Sequence, residues 1–438
     1  MQLWLCACVA AVLAPAAIDG TAGPVPSWTL LWERDAGISA GASASLLLAD
    51  LDGDGLDDPV VVSGGREARS RVLALDGRTG KTRWERSRAC RAAVAAADVD
   101  GVAGGEVAIA WRDTLSIVAG SDGALLASLA LPAPVGDIAF GFIDDDGRAD
   151  LVYTAGTGHN DLLVALAGPA WRGIWVRKTE PDEGPLGAGF DMLTLVDLDG
   201  DGRDEALVTE RRNVLTCVDA AGAARWSVVL GRKTRFLPEG VASSLPVAVD
   251  LAGGNGRDVA IGCFAGALLV LDGTSGDVLT RLQFGLDAHE GHLRDPRLPR
   301  FLRDIVASTG EPISEILACD IDGRPGSELV FGSSDGYVYA ATPGTGETLW
   351  RFDSESEVYD RCIPLPAAGP PILLAWDVKA TYVLRASDGA LVGRLPLRGG
   401  AAAVAAGDVN GDGTLDIVAV AYPGRTVHAW STGVPAGP

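Results

Sequence analysis

The 438-residue sequence is short of positive charge, aromatic side chains and histidine. Lys and Arg together number 36 against 58 Asp and Glu, which gives a formal net charge of −22 at pH 7. A chain with this balance repels nucleic-acid phosphates and anionic membrane surfaces, so nucleic-acid binding is not expected. Aromatic residues make up only 6% of the chain, whereas Gly occurs 57 times. Many short strands joined by tight turns fit this composition better than long helices do.

Long apolar runs and paired cysteines are also missing from most of the chain. Beyond residue 22, no segment approaches the roughly 20 apolar residues that span a bilayer. The cysteines beyond that point are widely spaced and form no CxxC motif, so neither a disulfide framework nor a zinc site is predicted. We expect them to be buried in strands; they are Cys90, Cys217, Cys263, Cys319 and Cys362.

The N-terminus is the one strongly apolar segment. MQLWLCACVAAVLAPAA (1–17) carries no charge and ends in small residues. We interpret residues 1–22 as a secretory signal peptide, with cleavage after Ala17 or Ala22. Because no Lys or Arg precedes the apolar run, a short N-terminal membrane anchor is the alternative. Both interpretations predict a secreted, periplasmic or extracellular protein.

A nine-residue acidic pattern recurs along the chain between short apolar runs. The runs on either side are rich in small and β-branched residues, which predicts a strand, an acidic loop and a second strand. Its copies are DLDGDGLDD (50–58), DVDGVAGGE (98–106), FIDDDGRAD (142–150), DLDGDGRDE (197–205), DLAGGNGRD (250–258), DIDGRPGSE (320–328) and DVNGDGTLD (408–416).

A second pattern follows the acidic loops. It consists of an apolar strand, a Gly-containing turn and a strand that often carries Trp, as in VLALDGRTGKTRW (72–84). Trp84, Trp226 and Trp350 each stand four residues after a turn Gly, and this fixed place favours packing between repeats over ligand stacking. Each full unit therefore holds four short strands, as a β-propeller blade does.

Counting the units predicts the number of blades. Residues 354–397 keep the strands but lack the acidic loop, and including them gives repeats of about 51 residues. The last unit supplies only three strands, and SWTLLWERD (27–35) resembles the outer strand KTRWERS (81–87). We therefore predict an all-β, eight-bladed β-propeller closed by an N-terminal strand, which removes open sheet edges. Seven blades is the alternative. The propeller would span residues 27–432, with an insertion at 285–312 and a tail at 433–438.

The acidic loops have the chemistry of a cation site. Carboxylates at positions 1, 3, 5 and 9 converge, and Gly at positions 4 and 6 permits the tight turn. Hard oxygen ligands in a flexible loop favour Ca²⁺ over Zn²⁺ or Cu²⁺. An EF-hand is excluded because position 12 is Val61, Val208 or Ala419 rather than Glu, and because the flanking segments are strands.

With these loops the chain resembles the FG-GAP (integrin-α-like) propeller repeat, and its turns and Trp residues resemble the quinoprotein-type (PQQ-like) repeat. The resemblance covers nearly everything from Ser27 to Thr432 and implies structural Ca²⁺ in the loop between the first two strands of a blade. Solvated hairpin turns are the alternative. Carried over by motif, the complete sites are Asp50, Asp52, Asp54 and Asp58; Asp197, Asp199, Asp201 and Glu205; and Asp408, Asn410, Asp412 and Asp416.

The other loops depart from the pattern. The third offers Asp144, Asp146 and Asp150 but has Phe142 at position 1. The loops that begin at residues 98, 250 and 320 lack a carboxylate at position 5, so we expect them to be empty.

The face opposite the acidic loops carries the candidate ligand surface. The insertion at 285–312 is the longest connection between blades, and connections of this length are often functional. Basic residues on an acidic protein attract an anionic ligand, although a solvated rim is the alternative. His289 and His292 could ligate a metal, but no third ligand is evident. The candidate ligand-binding residues are Arg232, Arg235, His289, His292, Arg294 and Arg361.

The sequence predicts a secreted, calcium-stabilised propeller that binds or scaffolds an extracellular or envelope protein or an anionic glycan. An enzyme is the less favoured class, and no catalytic residue is assigned. Its leading form is a polysaccharide lyase-like enzyme acting on acidic glycans, because some such lyases resemble this architecture. A quinone-dependent dehydrogenase is disfavoured because the chain beyond residue 22 has no adjacent cysteine pair. A propeller that serves only as a spacer in an envelope complex is the third possibility.

Overall fold

The structure, a computed structural model, describes most of the chain in segments. The described residues are 26–38, 43–64, 69–156, 161–178, 190–210, 213–231, 242–251, 257–263, 266–284, 313–333, 335–354, 362–365, 372–377, 379–422 and 426–435. The predicted signal peptide (1–22) and the insertion at 285–312 lie outside them. Among the described residues, no helix is long and apolar enough to cross a membrane.

The described residues form 32 β-strands in eight four-stranded antiparallel sheets, which we number as blades in chain order. Blades 1 to 3 are β2 (Ser43–Ala49), β3 (Asp58–Gly64), β4 (Ser70–Leu75) and β5 (Thr82–Arg88); β6 (Ala93–Ala97), β7 (Glu106–Ala110), β8 (Thr114–Ala119) and β9 (Leu125–Ala130); and β10 (Val135–Gly141), β11 (Asp150–Ala155), β12 (Leu162–Ala167) and β13 (Arg172–Lys178). Blades 4 and 5 are β14 (Phe190–Val196), β15 (Glu205–Glu210), β16 (Val214–Val218) and β17 (Ala224–Val229); and β18 (Val247–Val249), β19 (Asp258–Gly262), β20 (Ala267–Leu271) and β21 (Val278–Gln283). Blades 6 and 7 are β22 (Ile313–Cys319), β23 (Glu328–Ser333), β24 (Tyr337–Ala341) and β25 (Thr348–Asp353); and β26 (Cys362–Leu365), β27 (Ile372–Trp376), β28 (Thr381–Arg385) and β29 (Leu391–Arg394). Blade 8 is β30 (Ala401–Gly407), β31 (Thr414–Ala421), β32 (Thr426–Pro435) and β1 (Thr29–Asp35).

Blade 8 closes the propeller with strands from both ends of the chain. Its order is β1-β32-β31-β30, so the N-terminal strand is the outer strand of the last blade. Leu30 pairs with Trp430 and Glu33 with His428 in antiparallel register. The amide of Ser27 extends the pairing by donating to the carbonyl of Thr432 at 2.9 Å. The prediction of eight blades closed by an N-terminal strand is confirmed, and the seven-blade alternative is wrong.

The core lies between blades rather than within them. The middle strands are buried on both faces: all five residues of β7 are buried, and Val60, Val61 and Val62 of β3 are each under 9% exposed. Outer strands such as β9 alternate between exposed and half-buried residues. Each blade is covered by a neighbour on both faces, so its middle strands read as continuous apolar runs. The buried cysteines belong to these layers, and burial raises the pKa of Cys217 and Cys263 to about 12.

Tryptophans of outer strands dock onto the turn of the next blade. The indole Nε1 of Trp84 donates to the carbonyl of Gly120 at 2.6 Å, and that of Trp350 to Ala386 at 2.7 Å. Gly123 lies in the turn that contains Gly120 and has a φ of +73°, which side chains other than Gly rarely adopt. A Cβ at this position would also lie only 2.7 Å from Cγ of Trp84, so both the backbone conformation and the docked indole require Gly. Packing between repeats, the predicted role of the Trp residues, is confirmed. Trp32, Trp175 and Trp226 dock in the same way.

Blades 2 and 3 reverse this arrangement. Ala127 stands where the neighbouring outer strands carry Trp, four residues after Gly123. Trp171, which lies in the turn of blade 3 with φ +52°, packs into the same apolar cluster as Ala127. Its ring lies 6.4 Å from that of Phe140. An indole therefore fills this junction as well, but it comes from the turn rather than from the outer strand.

We predict that Trp84→Ala lowers the free energy of unfolding by about 3–5 kcal/mol, because it leaves a cavity and an unpaired carbonyl between blades 1 and 2. Leu126→Ala is the control, since Leu126 is 54% exposed on the neighbouring outer strand, and its effect should stay within about 0.5 kcal/mol. Urea unfolding followed by tryptophan fluorescence and circular dichroism measures both. Equal effects would contradict a docking role for Trp84.

Candidate functional site

The acidic loops lie on one face of the propeller and are linked to one another through the backbone. Each connects the first and second strands of its blade. The amide at position 8 donates to the preceding blade's loop at position 1: Gly105 to Asp50 at 2.8 Å, and Ser327 to Asp250 at 2.8 Å. The amide of Asp57 donates to the carbonyl of Asp408 at 3.0 Å and so links blade 1 to blade 8. Main-chain hydrogen bonds therefore hold the loops of these neighbouring blades together.

The carboxylate at position 1 shapes the acidic loops of blades 1, 4 and 8. Oδ1 of Asp50 accepts the amide of Gly53 at 2.7 Å, and Oδ2 accepts that of Gly55 at 2.9 Å. Both glycines have a positive φ, +78° and +82°, which side chains other than Gly rarely adopt. Asp197 and Asp408 make the same two bonds in blades 4 and 8. The predicted role of Gly at positions 4 and 6 is therefore seen in these three loops.

The acid at position 9 is buried, and burial raises its pKa. The carboxylate of Asp416 accepts the amide of Val409 at 3.1 Å, yet desolvation raises its pKa to about 6. Desolvation raises the pKa of Asp58 to about 6 as well, against the opposing effect of Arg83. At neutral pH these side chains are buried anions, and a nearby cation stabilises them. Glu106, Asp150, Glu205 and Glu328 are likewise buried, with pKa values raised by desolvation.

Four loops bring three acids together, with one oxygen of each within 4.8 Å of the others. Such a set of carboxylate oxygens suits a hard divalent cation. Two of these groups lie in loops that we predicted to bind calcium, and two lie in loops that we expected to be empty. The groups are Asp50, Asp52 and Asp54; Asp98, Asp100 and Glu106; Asp197, Asp199 and Glu205; and Asp320, Asp322 and Glu328.

The remaining loops differ. In blade 8, Nδ2 of Asn410 donates to Asp412 at 3.1 Å and to Asp416 at 3.4 Å, so these predicted ligands also lie together. In blade 3, Asp144, Asp146 and Asp150 are not among the converging groups found in the described residues. The loop of blade 5 lies partly outside the described residues. Which of the loops calcium occupies stays a prediction.

An arginine enters the acidic loop in blades 1 and 4. Nη1 of Arg83 lies 2.6 Å from Oδ2 of Asp52, and its Nε lies 3.0 Å from Oδ2 of Asp58. Nη1 of Arg225 lies 2.8 Å from Asp199 and 3.0 Å from Glu205. Neither arginine was predicted from the sequence. The available signal was the Arg-Trp pair in TRW (82–84) and ARW (224–226), since each arginine directly precedes a docked Trp.

The opposite face presents basic residues that were not predicted from the sequence either. Arg88 lies over the ring of the buried Trp111, 5.3 Å from its centroid, and 3.8 Å from Asp113. Ser70 pairs with Arg88 across β4 and β5, which places Arg69 beside it. We call the exposed residues Arg69, Arg88, Arg91 and Arg112 the arginine cluster. The run RSRACR (86–91) was its signal. All six predicted ligand-binding residues, Arg232, Arg235, His289, His292, Arg294 and Arg361, lie outside the described residues.

Comparison with known proteins agrees with the loops and the fold. Residues 400–437, which include the acidic loop of blade 8, match the FG-GAP repeat family. No curated protein matches the chain by sequence. The resemblance to FG-GAP and quinoprotein-type propellers that the motifs predicted is confirmed. The protein is an eight-bladed β-propeller whose last blade matches the FG-GAP repeat.

Several solved structures share the fold at low sequence identity. BamB from Moraxella catarrhalis is 13% identical with a TM-score of 0.57, over 92% of this chain and 100% of that chain. The biofilm matrix protein Bap1 of V. cholerae is 13% identical with a TM-score of 0.61, over 94% and 92%. A rhamnogalacturonan lyase from Bacillus licheniformis is 16% identical with a TM-score of 0.60, over 94% and 76%. Identities this low establish a shared architecture and no shared function.

We predict that Asp416→Asn stabilises the metal-free protein above pH 6. The folded state holds the proton of Asp416 more tightly than the unfolded chain does, because its pKa rises from 3.8 to about 6. The favourable contribution of Asp416 to the free energy of unfolding is therefore complete below about pH 4 and is lost as the pH rises to about 6. In the presence of a chelator, the variant should not lose this stability. Its free energy of unfolding should exceed that of the wild type by about 1–3 kcal/mol at pH 7.

Asp412→Asn is the control in the same loop. A hydrogen bond from the Thr414 hydroxyl lowers the pKa of Asp412, so its contribution has the opposite sign and is lost as the pH falls below about 4. Thermal unfolding between about pH 4 and 8 in chelator measures both variants. A wild-type protein whose stability rises across that range, with no gain from Asp416→Asn, would contradict the prediction.

Proposed function

We propose that the protein is an exported, calcium-stabilised β-propeller that binds an anionic glycan or an acidic protein partner rather than catalysing a reaction. The observation that carries this proposal is the arginine cluster. Its four exposed arginines stand in or beside connections on one face of a chain whose net charge is −22, and Arg88 is held over Trp111, beside Asp113. A local positive surface on an acidic protein attracts anions and orients their approach. The closed ring of blades holds that surface in a fixed shape.

Calcium would act on the other face, as a structural ion. Two groups of acids suit this ion, because their carboxylate oxygens are the ligands that calcium prefers and lie within 4.8 Å of one another. The groups are Asp98, Asp100 and Glu106 in blade 2, and Asp320, Asp322 and Glu328 in blade 6. Blade 8 offers a third proposed site, in which Asn410 contacts Asp412 and Asp416. Its predicted ligands are Asp408, Asn410, Asp412 and Asp416. An ion bound only by the folded protein stabilises it by mass action, and here it would offset the charge of the buried acid at position 9.

The geometry of the arginine cluster suits carboxylate recognition. Arg88 is half-exposed, and the face of Trp111 holds its guanidinium in place. Planar guanidinium groups bind carboxylates through two parallel hydrogen bonds. By their order in the chain, Arg232, Arg235, His289, His292, Arg294 and Arg361 belong to connections on the same face, and we propose that they extend this surface.

An extracellular location is part of the proposal. It rests on the apolar N-terminal segment and is supported by the similarity to a biofilm matrix protein of V. cholerae. An envelope or matrix protein with an acidic surface is therefore the partner we propose beside an acidic glycan.

A lyase acting on acidic glycans is the second candidate. The similarity to rhamnogalacturonan lyases over 94% of this chain favours it. Such an enzyme needs a cation to neutralise the uronate carboxylate and a base to take a proton, and an arginine-bearing face supplies the first of these.

We predict that Arg88→Ala combined with Arg112→Ala weakens binding of soluble rhamnogalacturonan about tenfold or more, because two charged contacts are removed. Isothermal titration calorimetry in calcium buffer measures the affinity, with a neutral galactan as control ligand. Arg324→Ala is the matched control, since Arg324 is an exposed arginine on the acidic-loop face, and its affinity should equal that of the wild type.

Other results would change the assignment. Wild-type affinity in the double variant would remove the arginine cluster from the proposal, and equal binding of the neutral galactan would remove the anionic ligand. The same mixtures are assayed for unsaturated uronate by its ultraviolet absorbance. Release of that product by the wild type, and its loss in the double variant, would establish the lyase in place of the binding module.

A further inference from the structure

We propose that Arg83 and Arg225 take the place of the metal ion in blades 1 and 4, so that the two loops with the most complete calcium motifs do not bind calcium. This inference goes beyond the proposed function and depends on it only for the comparison with blades 2 and 6. It departs from the sequence-based prediction of calcium sites in blades 1 and 4. The ligands predicted there were Asp50, Asp52, Asp54 and Asp58, and Asp197, Asp199, Asp201 and Glu205.

In blade 1 the guanidinium lies among the carboxylates that an ion would need. Arg83 contacts Asp52 at position 3 and Asp58 at position 9, at 2.6 Å and 3.0 Å. Its Nη2 lies 3.3 Å from Asp76 in the adjacent turn. The side chain is only 14% exposed, so the cation is held inside the loop and not at its rim. A guanidinium held this way neutralises the buried anion directly, as a bound ion would.

Blade 4 repeats the arrangement with different residues. Arg225 contacts Asp199 at position 3 and Glu205 at position 9, at 2.8 Å and 3.0 Å, and is 22% exposed. The same two loop positions are paired in both blades, although the acid at position 9 is Asp in one and Glu in the other. Two independent occurrences at matching positions indicate a built-in device of the fold.

The docked tryptophans explain why the arginines reach the loops. Arg83 precedes Trp84, and Arg225 precedes Trp226, whose indole donates to Gly273 at 2.8 Å. Arg83 and Arg225 are each the extra residue of a β-bulge, because the residues on either side of them are paired with consecutive residues of the neighbouring strand. A bulge re-aims the side chain of its extra residue, and here that side chain enters the acidic loop while the next residue docks on the neighbouring blade. The inter-blade contact therefore also fixes the cation in the loop.

Calcium and the guanidinium compete for the same oxygens. A divalent ion bound to Asp199 and Glu205 would lie against the positive charge of Arg225, in a half-buried site where such repulsion is poorly screened. Calcium would have to displace Arg225 from both carboxylates before it could coordinate them. The geometry therefore favours the tethered cation over the free one.

Blades 2 and 6 show the complementary case. Leu126 and Leu349 stand where blades 1 and 4 have arginine, each three residues after the turn Gly. Arg324 lies 3.6 Å from Asp322 in blade 6, but its side chain is 82% exposed, so it does not fill the loop. The acids of these two loops, like those of blades 1 and 4, bring one oxygen each within 4.8 Å of the others. A carboxylate at position 5 would predict calcium in blades 1 and 4. The absence of an arginine inside the loop predicts calcium in blades 2 and 6 instead.

The test is a calcium count on the full-length protein and three variants. Metal-depleted samples are equilibrated with calcium, and bound ions are counted by equilibrium dialysis, with circular dichroism as the check of folding. Asp199→Asn removes a carboxylate from blade 4, and we expect the count of the wild type. Asp322→Asn makes the matched change in blade 6, and we expect one ion fewer. Arg225→Met frees the loop of blade 4, and we expect one ion more and a larger rise of Tm on adding calcium.

Two results would overturn the inference. One is the loss of an ion in Asp199→Asn, and the other is an unchanged count in folded Arg225→Met. If that variant does not fold, Arg83→Met puts the same question to blade 1. A wild type that binds no calcium would defeat the calcium part of the proposed function, whereas a gain of one ion in Arg225→Met would still support the inference.

Discussion

Burial between neighbouring blades is the constraint on which the rest of the structure depends. A blade has two apolar faces and cannot cover either by itself, so every blade needs a neighbour on both sides and the row of blades must close. Pairing of β1 with β32 meets that requirement by completing the last blade with the first strand of the chain. The same closure joins the acidic loops of the first and last blades, because the amide of Asp57 in blade 1 donates to the carbonyl of Asp408 in blade 8.

The docked tryptophans connect this packing to the chemistry of the loops. An indole that bonds to the turn of the next blade fixes the register of its strand, as Trp226 does on Gly273. In blade 4 the residue before it, Arg225, is the extra residue of a β-bulge, and its guanidinium enters the acidic loop. In blade 6 that place is taken by Leu349, and the loop's own arginine, Arg324, is 82% exposed. The docking of Trp226 on the next blade therefore helps to place the guanidinium that neutralises the buried acid Glu205.

The two faces of the propeller differ in kind. On one, buried acids at position 9 have raised pKa values and require a proton, a guanidinium or a metal ion to offset their charge. On the other, the arginine cluster around Trp111 leaves positive charge exposed to solvent. The ring of blades separates them, so the calcium and the anionic ligand that we propose would not compete for the same groups.

The sequence by itself determined the repeat, the strands on either side of each acidic loop, the eight blades and the closing N-terminal strand. It could do so because burial on both faces produces continuous apolar runs, and tight turns produce Gly at fixed places, both of which are local signals. Only the tertiary structure decided which loops contain a cation. The arginines that enter blades 1 and 4 lie 25 and 20 residues beyond the acids at position 9, Asp58 and Glu205. Their contact depends on the strand pairing and on the docked indoles, so a motif read one loop at a time could not reveal it. The arginine cluster arose in the same way, because a residue of β5 meets the ring of Trp111 only once blades 1 and 2 are packed together.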